Sequence, residues 1–323
     1  MAWGITEDTK KVVLSKNYEY LSIMEKTQAT KTVSYSQFSL YATCPKRWKL
    51  DYLDGLRQYE QNINTCFGSA FHHTVQNYVN CMFTESAKKA DEIHLGDYLK
   101  ESMFNEYKQA LTKNGNHHFS TPQELAEFHQ DGVAILDYFR RHRVQFFSTK
   151  HHELIGIEQP LRVDLVNNVT FIGFIDIIIK DKRNNTYTIY DIKTSTQGWN
   201  KYQKADVSKT AQLILYKEFY AKQFGVDVDH INVEYIIVRR KINEELEFVP
   251  KRIQTFSPAS GKPTRNKVGK LFHEFVQNCF TTEGEYNVDG NFPAYETSAC
   301  KYCPYKTEEQ HCAKKQRLKV KDE

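Results

Sequence analysis

The sequence predicts an α/β fold in which a helix-rich part precedes a sheet. Two β-rich runs, residues 171–179 and 186–192, flank the sequence Asp-Lys-Arg-Asn-Asn, a pattern typical of a β-hairpin. Apolar residues recur at helical intervals before this hairpin, and again after it in residues 207–224. The predicted order is therefore a helical part, three strands, a helix, two further strands and a final helix.

The composition indicates a soluble globular protein with enough apolar residues for a sizeable core. Of the 323 residues, 40% are hydrophobic and 26% are charged. The net charge is only +4, so charge alone does not indicate nucleic-acid binding. The chain has no apolar run of membrane-spanning length and no signal-peptide pattern, so we expect a cytoplasmic or other reducing compartment and no membrane partner. In that setting, seven cysteines favour metal binding over disulfides.

The helical part is expected to follow a weakly ordered lead-in. Ser36 is predicted to cap the first helix, which ends near Cys44, and Pro45 is compatible with the first turn of a second short helix. A longer helix begins near residue 67 and buries one apolar stripe, with His72 at the edge of that stripe. Two more helices are predicted over residues 97–111 and 122–147.

The part rich in strands begins near residue 154. Two β runs are predicted on either side of Pro160, with Glu158 just before the proline. After the hairpin, the pattern predicts a loop, a helix, two strands and a helix, over residues 194–206, 207–224, 231–238, 246–253 and 267–280.

These elements predict one domain with unstructured ends. The expected divisions are a lead-in (1–33), a helical part (34–150), an α/β core (151–281), a cysteine-containing segment (282–312) and a charged, disordered tail (313–323).

The hairpin carries charged residues that suggest catalysis. Asp176 lies in an apolar strand, where a carboxylate is costly to bury unless it is paired or binds a metal. Asp191 and Lys193 are two apart on the next strand and share a face. Asp176, Asp191 and the carbonyl of Ile192 could surround Mg²⁺ or Mn²⁺, with Lys193 holding the attacking water or stabilising charge on a phosphate. The alternative is a surface salt bridge.

These residues form part of a series that resembles the PD-(D/E)xK nuclease superfamily, RecB-like type. That pattern is G-x-x-x-H, G-x-x-D, D/E-x-K and Q-x-x-x-Y, which here corresponds to Gly68 and His72, Gly173 and Asp176, Asp191 and Lys193, and Gln212 and Tyr216. The resemblance covers residues 34–312 and implies a restriction-endonuclease-like core, with a central mixed sheet flanked by helices and a helical insertion. It implies that His72 is a metal ligand or orients the metal site, and that Gln212 and Tyr216 contact substrate phosphate or fix the lysine and water. Glu158 is a weaker candidate for the same pocket.

The cysteines resemble those of one group within that superfamily. Cys300 and Cys303 form a C-x2-C motif, which alone is as typical of zinc as of any other metal. Together with an early Cys-Pro and a later cysteine, the arrangement resembles AddB-type recombination nucleases and CRISPR-associated adaptation exonucleases. That resemblance implies a [4Fe–4S] cluster joining the two ends of the domain, with the ligands Cys44, Cys300, Cys303 and Cys312. His311 keeps a zinc Cys₃His site open. Cys66, Cys81 and Cys279 are interpreted as structural.

The expected substrate is DNA. Basic and aromatic residues at 199–204 and 239–241 favour a DNA-binding rim, although a solvated loop would have the same composition. We expect a Mg²⁺- or Mn²⁺-dependent deoxyribonuclease, and exonuclease action on single strands or DNA ends is the favoured mode. Its expected setting is recombination, repair, or phage or CRISPR-type DNA processing. The alternatives are a non-catalytic scaffold for a helicase or recombination partner, and an RNA-directed nuclease. The sequence has no helicase motif, so any unwinding must come from a partner.

Overall fold

A mixed six-stranded sheet forms the centre of the protein. The computed structural model describes residues 31–57 and 62–319, so the predicted lead-in lies outside the described residues except for its last three. The strands of this sheet are β1 Thr32–Val33, β2 His152–Asp164, β3 Thr170–Asp181, β4 Thr186–Ser195, β5 Ile231–Arg239 and β6 Ile253–Phe256. Strand β1 pairs in parallel with the first residues of β3, so the predicted lead-in includes two residues of the sheet.

The predicted hairpin is confirmed as the pair β3 and β4. These strands are antiparallel, with Ile177 opposite Tyr190 and Ile179 opposite Thr188. Strand β2 runs antiparallel along β3, β5 runs parallel to β4, and β6 is antiparallel to β5. The sheet therefore has mixed pairing, as the resemblance implied.

Helices cover both faces of this sheet. They are α1 Tyr35–Thr43, α2 Pro45–Trp48, α3 Ile63–Thr84, α4 Ala87–Asp91, α5 Leu95–Lys113, α6 Pro122–Phe146, α7 Lys201–Ala205, α8 Val207–Phe224, α9 Lys262–Cys279 and α10 Glu309–Cys312. Helices α1, α8 and α9 contribute to one apolar core, and α3, α5 and α6 to the other. In β5, Tyr235 and Ile237 enter the first core while Ile236 and Val238 enter the second. Because both faces are covered, the strand is continuously apolar from Tyr235 to Val238, whereas polar residues alternate with apolar ones before it.

Several predicted element boundaries differ from the structure. The cap of α1 is Ser34, whose side chain accepts from the Gln37 amide, and Ser36 lies within the helix. The two β runs predicted around Pro160 form the single strand β2. Since β2 is an edge strand that pairs only with β3, proline is tolerated there without the loss of a central hydrogen bond.

Other differences lie towards the C-terminus. The strand predicted at 246–253 is found later, at β6, and α9 begins five residues before the predicted position 267. The short helices α4 and α7 were not predicted. The tail, predicted to be disordered, contributes strand β8 Leu318–Lys319, which pairs in parallel with β7 Tyr295–Glu296. Within residues 31–57 and 62–319, no helix combines the length and the apolar character needed to cross a membrane.

Candidate active site

The hairpin places two buried carboxylates side by side. Asp176 on β3 is 8% exposed, and Asp191 on β4 is 1% exposed. Oδ2 of Asp176 accepts a hydrogen bond of 2.7 Å from the backbone amide of Ile192, which links the two strands at the point where the acids meet. His72 lies beside these carboxylates, with its Nδ1 atom 3.5 Å from Oδ2 of Asp176.

Burial strongly affects the protonation of these groups. It raises the pKa of Asp176 from 3.8 to about 7, against the opposing effects of Lys193 and of the Ile192 amide. It also raises the pKa of Asp191 to about 6, again opposed chiefly by Lys193. Burial lowers the pKa of His72, so the imidazole is neutral at pH 7 and able to act as a ligand.

A chain of contacts orients Lys193. Its ammonium lies 3.1 and 2.8 Å from the two carboxylate oxygens of Asp191. It also donates a 2.7 Å hydrogen bond to Oε1 of Gln212, whose amide nitrogen donates to the hydroxyl of Tyr216 at 3.2 Å. Gln212 and Tyr216 are one turn apart on α8, which explains why a Q-x-x-x-Y spacing brings both to the lysine.

Two glycines of the motifs permit close approach at this centre. A Cβ atom on Gly68 would lie 3.2 Å from Oγ1 of Thr194, so glycine lets α3 approach β4 and bring in His72 one turn later. A Cβ atom on Gly173 would lie 3.0 Å from Cε1 of Tyr216. Each glycine therefore makes room for an element that carries a site residue.

Gln76 and Glu158 extend the centre beyond the predicted residues. Gln76 follows His72 by one turn of α3 and donates a hydrogen bond to the Glu158 carboxylate. Glu158 lies in β2 with φ of +49°, an unusual backbone conformation for a glutamate. Its charge raises the pKa of both His72 and Asp176, so the carboxylate lies within electrostatic reach of both. The sequence gave Glu158 as a weaker candidate for this pocket, and it gave no signal for Gln76.

The donor set suits a hard divalent cation, although the side chains are not arranged as ligands in this structure. In the part of the chain that the structure describes, no three His, Cys, Asp or Glu side chains are placed to hold a metal ion. Oδ2 of Asp191 is nevertheless buried and accepts no hydrogen bond from the described residues, although Lys193 lies close to it. Two buried carboxylates beside a neutral imidazole are oxygen and nitrogen donors of the kind that Mg²⁺ or Mn²⁺ accepts.

The four predicted cysteine ligands gather at a second place. Cys44, Cys300, Cys303 and Cys312 all line one small cavity, which brings the start of α2 to the C-terminal segment. Burial is the main cause of the raised pKa of Cys303, and the neighbouring Cys44 and Cys312 add to it. His311 does not line this cavity. Cys66 and Cys279 are buried in the apolar cores, as interpreted from the sequence, and Cys81 is half-buried beside Glu85.

The residues of the predicted DNA-binding rim differ in their availability. Arg240 and Lys241 both form ion pairs with Glu127 and Asp131 of α6, at distances of 2.7 to 3.2 Å. Their charge is therefore balanced within the protein, and the structure does not support a DNA contact at Arg240 or Lys241.

In the rim at residues 199–204, the two aromatic side chains differ. Trp199 is half-buried against Tyr235, with the ring centroids 4.9 Å apart, whereas Tyr202 is 73% exposed. Trp199 lines the same cavity as Lys193, whereas Tyr202 does not, so exposure alone does not place Tyr202 beside the centre.

Comparison with known proteins gives the family. A model of the PD-(D/E)XK nuclease superfamily matches residues 32–307. No curated protein sequence matches the chain. The crystal structure of “Putative exonuclease” from Eubacterium rectale is similar over 75% of this chain and 77% of its own, at 11% identity and a TM-score of 0.43. The crystal structure of SSO0001 is similar over 97% of this chain and 98% of its own, at 13% identity and a TM-score of 0.35. The family match covers most of the chain and all the residues of the centre, so this protein belongs to the PD-(D/E)XK nuclease superfamily.

Proposed function

We propose that the protein is a Mg²⁺- or Mn²⁺-dependent deoxyribonuclease of the RecB-like type, acting as an exonuclease on single strands or DNA ends. The observation that carries the proposal is the convergence of His72, Asp176 and Asp191 with Lys193 in one buried centre. Two buried carboxylates beside a lysine are costly for a fold, and metal-assisted hydrolysis gives this arrangement a use.

In this proposal the metal and the protein have separate tasks. Asp176, Asp191, the carbonyl of Ile192 and the imidazole of His72 would hold the cation, which supplies a water of lowered pKa and offsets phosphate charge. Lys193 would donate hydrogen bonds to the attacking water or to a phosphate oxygen. Gln212 holds the lysine by its 2.7 Å hydrogen bond and so fixes the direction of the ammonium.

An end-labelled DNA digestion tests the proposal. The purified protein is incubated with single-stranded DNA, double-stranded DNA and RNA of one sequence, with Mg²⁺, Mn²⁺ or EDTA. We expect metal-dependent shortening of single-stranded DNA from an end, and its loss in Asp191→Ala and Lys193→Ala proteins with unchanged circular dichroism. Digestion retained by these variants contradicts the mechanism. If the wild type binds DNA but digests no nucleic acid, the scaffold alternative holds, and a preference for RNA indicates an RNA-directed nuclease.

We further propose that Cys44, Cys300, Cys303 and Cys312 hold a [4Fe–4S] cluster. Their thiols suit such a cluster, and their shared cavity supports this set over a zinc site that uses His311. The cluster would strengthen a junction that protein contacts already make, since the hydroxyl of Tyr305 donates to Asp51 at 2.6 Å.

The cluster is tested by metal analysis of protein prepared without oxygen. Iron and sulfide in equal amounts, with broad visible absorption that is lost in a Cys303→Ser variant, are expected. A colourless protein containing zinc would contradict the cluster and favour a zinc site. The proposed setting is recombination, repair, or phage or CRISPR-type DNA processing, where a helicase or recombination partner would supply unwound DNA.

A further inference from the structure

A wide cleft runs from the catalytic lysine to the cysteine segment. Its volume is about 1410 Å³, and Lys193 and Gln212 lie in its lining. One wall is formed by α1 and the beginning of α8, which are joined where Oγ of Ser39 donates to the carbonyl of Ser208 at 3.0 Å. A second part of the lining comes from the segment 295–302 and from Lys319 of β8. The cleft exceeds the roughly 300–1,000 Å³ of a typical small-molecule site, so it suits an extended substrate.

The charge of the cleft suits a polyanion. Its lining includes four lysines and a single carboxylate, and the lysines are Lys193, Lys209, Lys301 and Lys319. That carboxylate, Asp206, is already engaged because it caps α8 and accepts from the amide and the hydroxyl of Ser208 at 2.9 and 2.7 Å. Lys193 is paired with Asp191 and Asp206 keeps its charge, so the other three lysines leave the lining with a positive balance, which favours phosphate groups.

An exposed aromatic ring lies on the cysteine-segment wall. Tyr302 is 76% exposed, and the ammonium of Lys301 lies 5.4 Å from its ring centroid. A ring presented beside lysines is the arrangement on which unpaired bases stack while the backbone phosphates are neutralised. Inside a duplex both faces of a base are covered by its neighbours, so a ring at this position would favour single strands over the interior of a duplex.

We propose that residues 295–302 together with Lys319 form the single-strand-binding wall of the cleft. Tyr302 stacks on an unpaired base, Lys301 and Lys319 contact backbone phosphates, and the strand continues along the cleft to Lys193. The wall is built by the cysteine segment itself, because Cys300 lies within the 3₁₀ helix Ser298–Tyr302. The inference rests on the proposed nuclease function and adds to it the part of the chain that selects the single strand.

Binding measured without metal tests this wall independently of cleavage. In EDTA, the fluorescence anisotropy of a labelled oligothymidine reports single-strand affinity, and a blunt duplex serves as the comparison ligand. Tyr302→Ala is expected to weaken single-strand binding about 5- to 150-fold, the loss of one stacked base, while Tyr302→Phe binds like the wild type. A plot of log affinity against log salt concentration has a negative slope. Replacing Lys301 and Lys319 together should make that slope less steep by about 1.4, or about 0.7 for each phosphate contact.

Tyr202→Ala is the matched comparison. Tyr202 is 73% exposed and has Lys201 at 5.0 Å from its ring, but it does not line the cleft. We expect this variant to retain single-strand affinity. Wild-type affinity in Tyr302→Ala, or equal losses in both variants, overturns the proposal, as does an equal loss of duplex binding.

The two proposals fail separately. Single-strand binding that depends on Tyr302, without any cleavage in Mn²⁺, would refute the nuclease and leave the wall standing. Metal-dependent cleavage together with single-strand binding that does not depend on Tyr302 would refute the wall and leave the nuclease standing.

Discussion

Replacing Asp176 by asparagine is expected to stabilise the metal-free protein above neutral pH while abolishing cleavage. The pKa of this carboxyl rises from 3.8 to about 7 on folding. The folded protein therefore binds the proton more tightly than the unfolded chain, so its stability falls as pH rises from about 4 to 7. The full difference in pKa corresponds to about 4 kcal/mol of free energy of unfolding at pH 8. Asparagine cannot ionise, and its carbonyl can still accept the 2.7 Å hydrogen bond from Ile192.

Urea unfolding in EDTA, followed by tryptophan fluorescence, measures this effect. The stability gained by Asp176→Asn over the wild type should grow by about 2 to 3 kcal/mol between pH 5 and pH 8. Adding Mn²⁺ should stabilise the wild type more than the variant, because a ligand of the folded state shifts the unfolding equilibrium. A variant that is less stable than the wild type at pH 8, or a gain that does not change with pH, would refute the reasoning.

Asp181, on the same strand, provides a control of opposite sign. Hydrogen bonds from Arg183 hold the pKa of this half-buried carboxyl well below its usual range. Its ionised form therefore stabilises the fold above the pKa of the unfolded chain, and that contribution is lost as pH falls. Asp181→Asn should consequently lose stability at pH 8, and its cleavage rate should stay that of the wild type.

Three further substitutions probe the centre and its support. Gly68→Ala places a Cβ atom 3.2 Å from Oγ1 of Thr194, so we expect α3 to shift away from β4 and cleavage to slow, and a wild-type cleavage rate would argue against the close approach. Glu158→Gln removes a charge that raises the pKa of Asp176. The pKa of Asp176 should therefore fall, and the acidic limb of the pH–rate profile should move to lower pH. Arg240→Ala leaves Asp131 with one partner fewer, and urea unfolding should show a loss of about 1 kcal/mol or more without weaker DNA binding; weaker binding would restore the predicted role of Arg240 in the rim.

The sequence predicted the hairpin and its acids because these depend on local patterns. Alternation places residues two apart on one face of a strand, so Asp191 and Lys193 could be paired without knowledge of the fold. The spacing of Gln212 and Tyr216 likewise predicts neighbours on one helix face. Interpreted together through the family resemblance, these patterns located most of the centre.

The remaining features depend on contacts between distant parts of the chain. The ion pairs of Arg240 and Lys241 join residues about 110 positions apart, which no local pattern reveals. The two-residue strand β8 exists only because β7 lies beside it. Glu158 reaches the centre through a left-handed backbone conformation in an edge strand, and composition near Pro160 does not indicate that conformation. Tertiary pairing decides each of these cases.

The charge balance of the centre explains why the same residues can be buried without metal and still attract one. With both acids ionised, Asp176 and Asp191 carry two negative charges, Lys193 carries one positive charge, and burial keeps His72 neutral. These four residues then carry one negative charge in excess. Desolvation by burial is the main cause of the raised pKa of both carboxyls, and Lys193 opposes it. A divalent cation would turn that excess into one positive charge and so suit the centre to a phosphate, while protonation would remove the attraction for the cation. Metal binding and proton release are therefore expected to be linked, and Mn²⁺ affinity measured by titration calorimetry should rise between about pH 6 and pH 8.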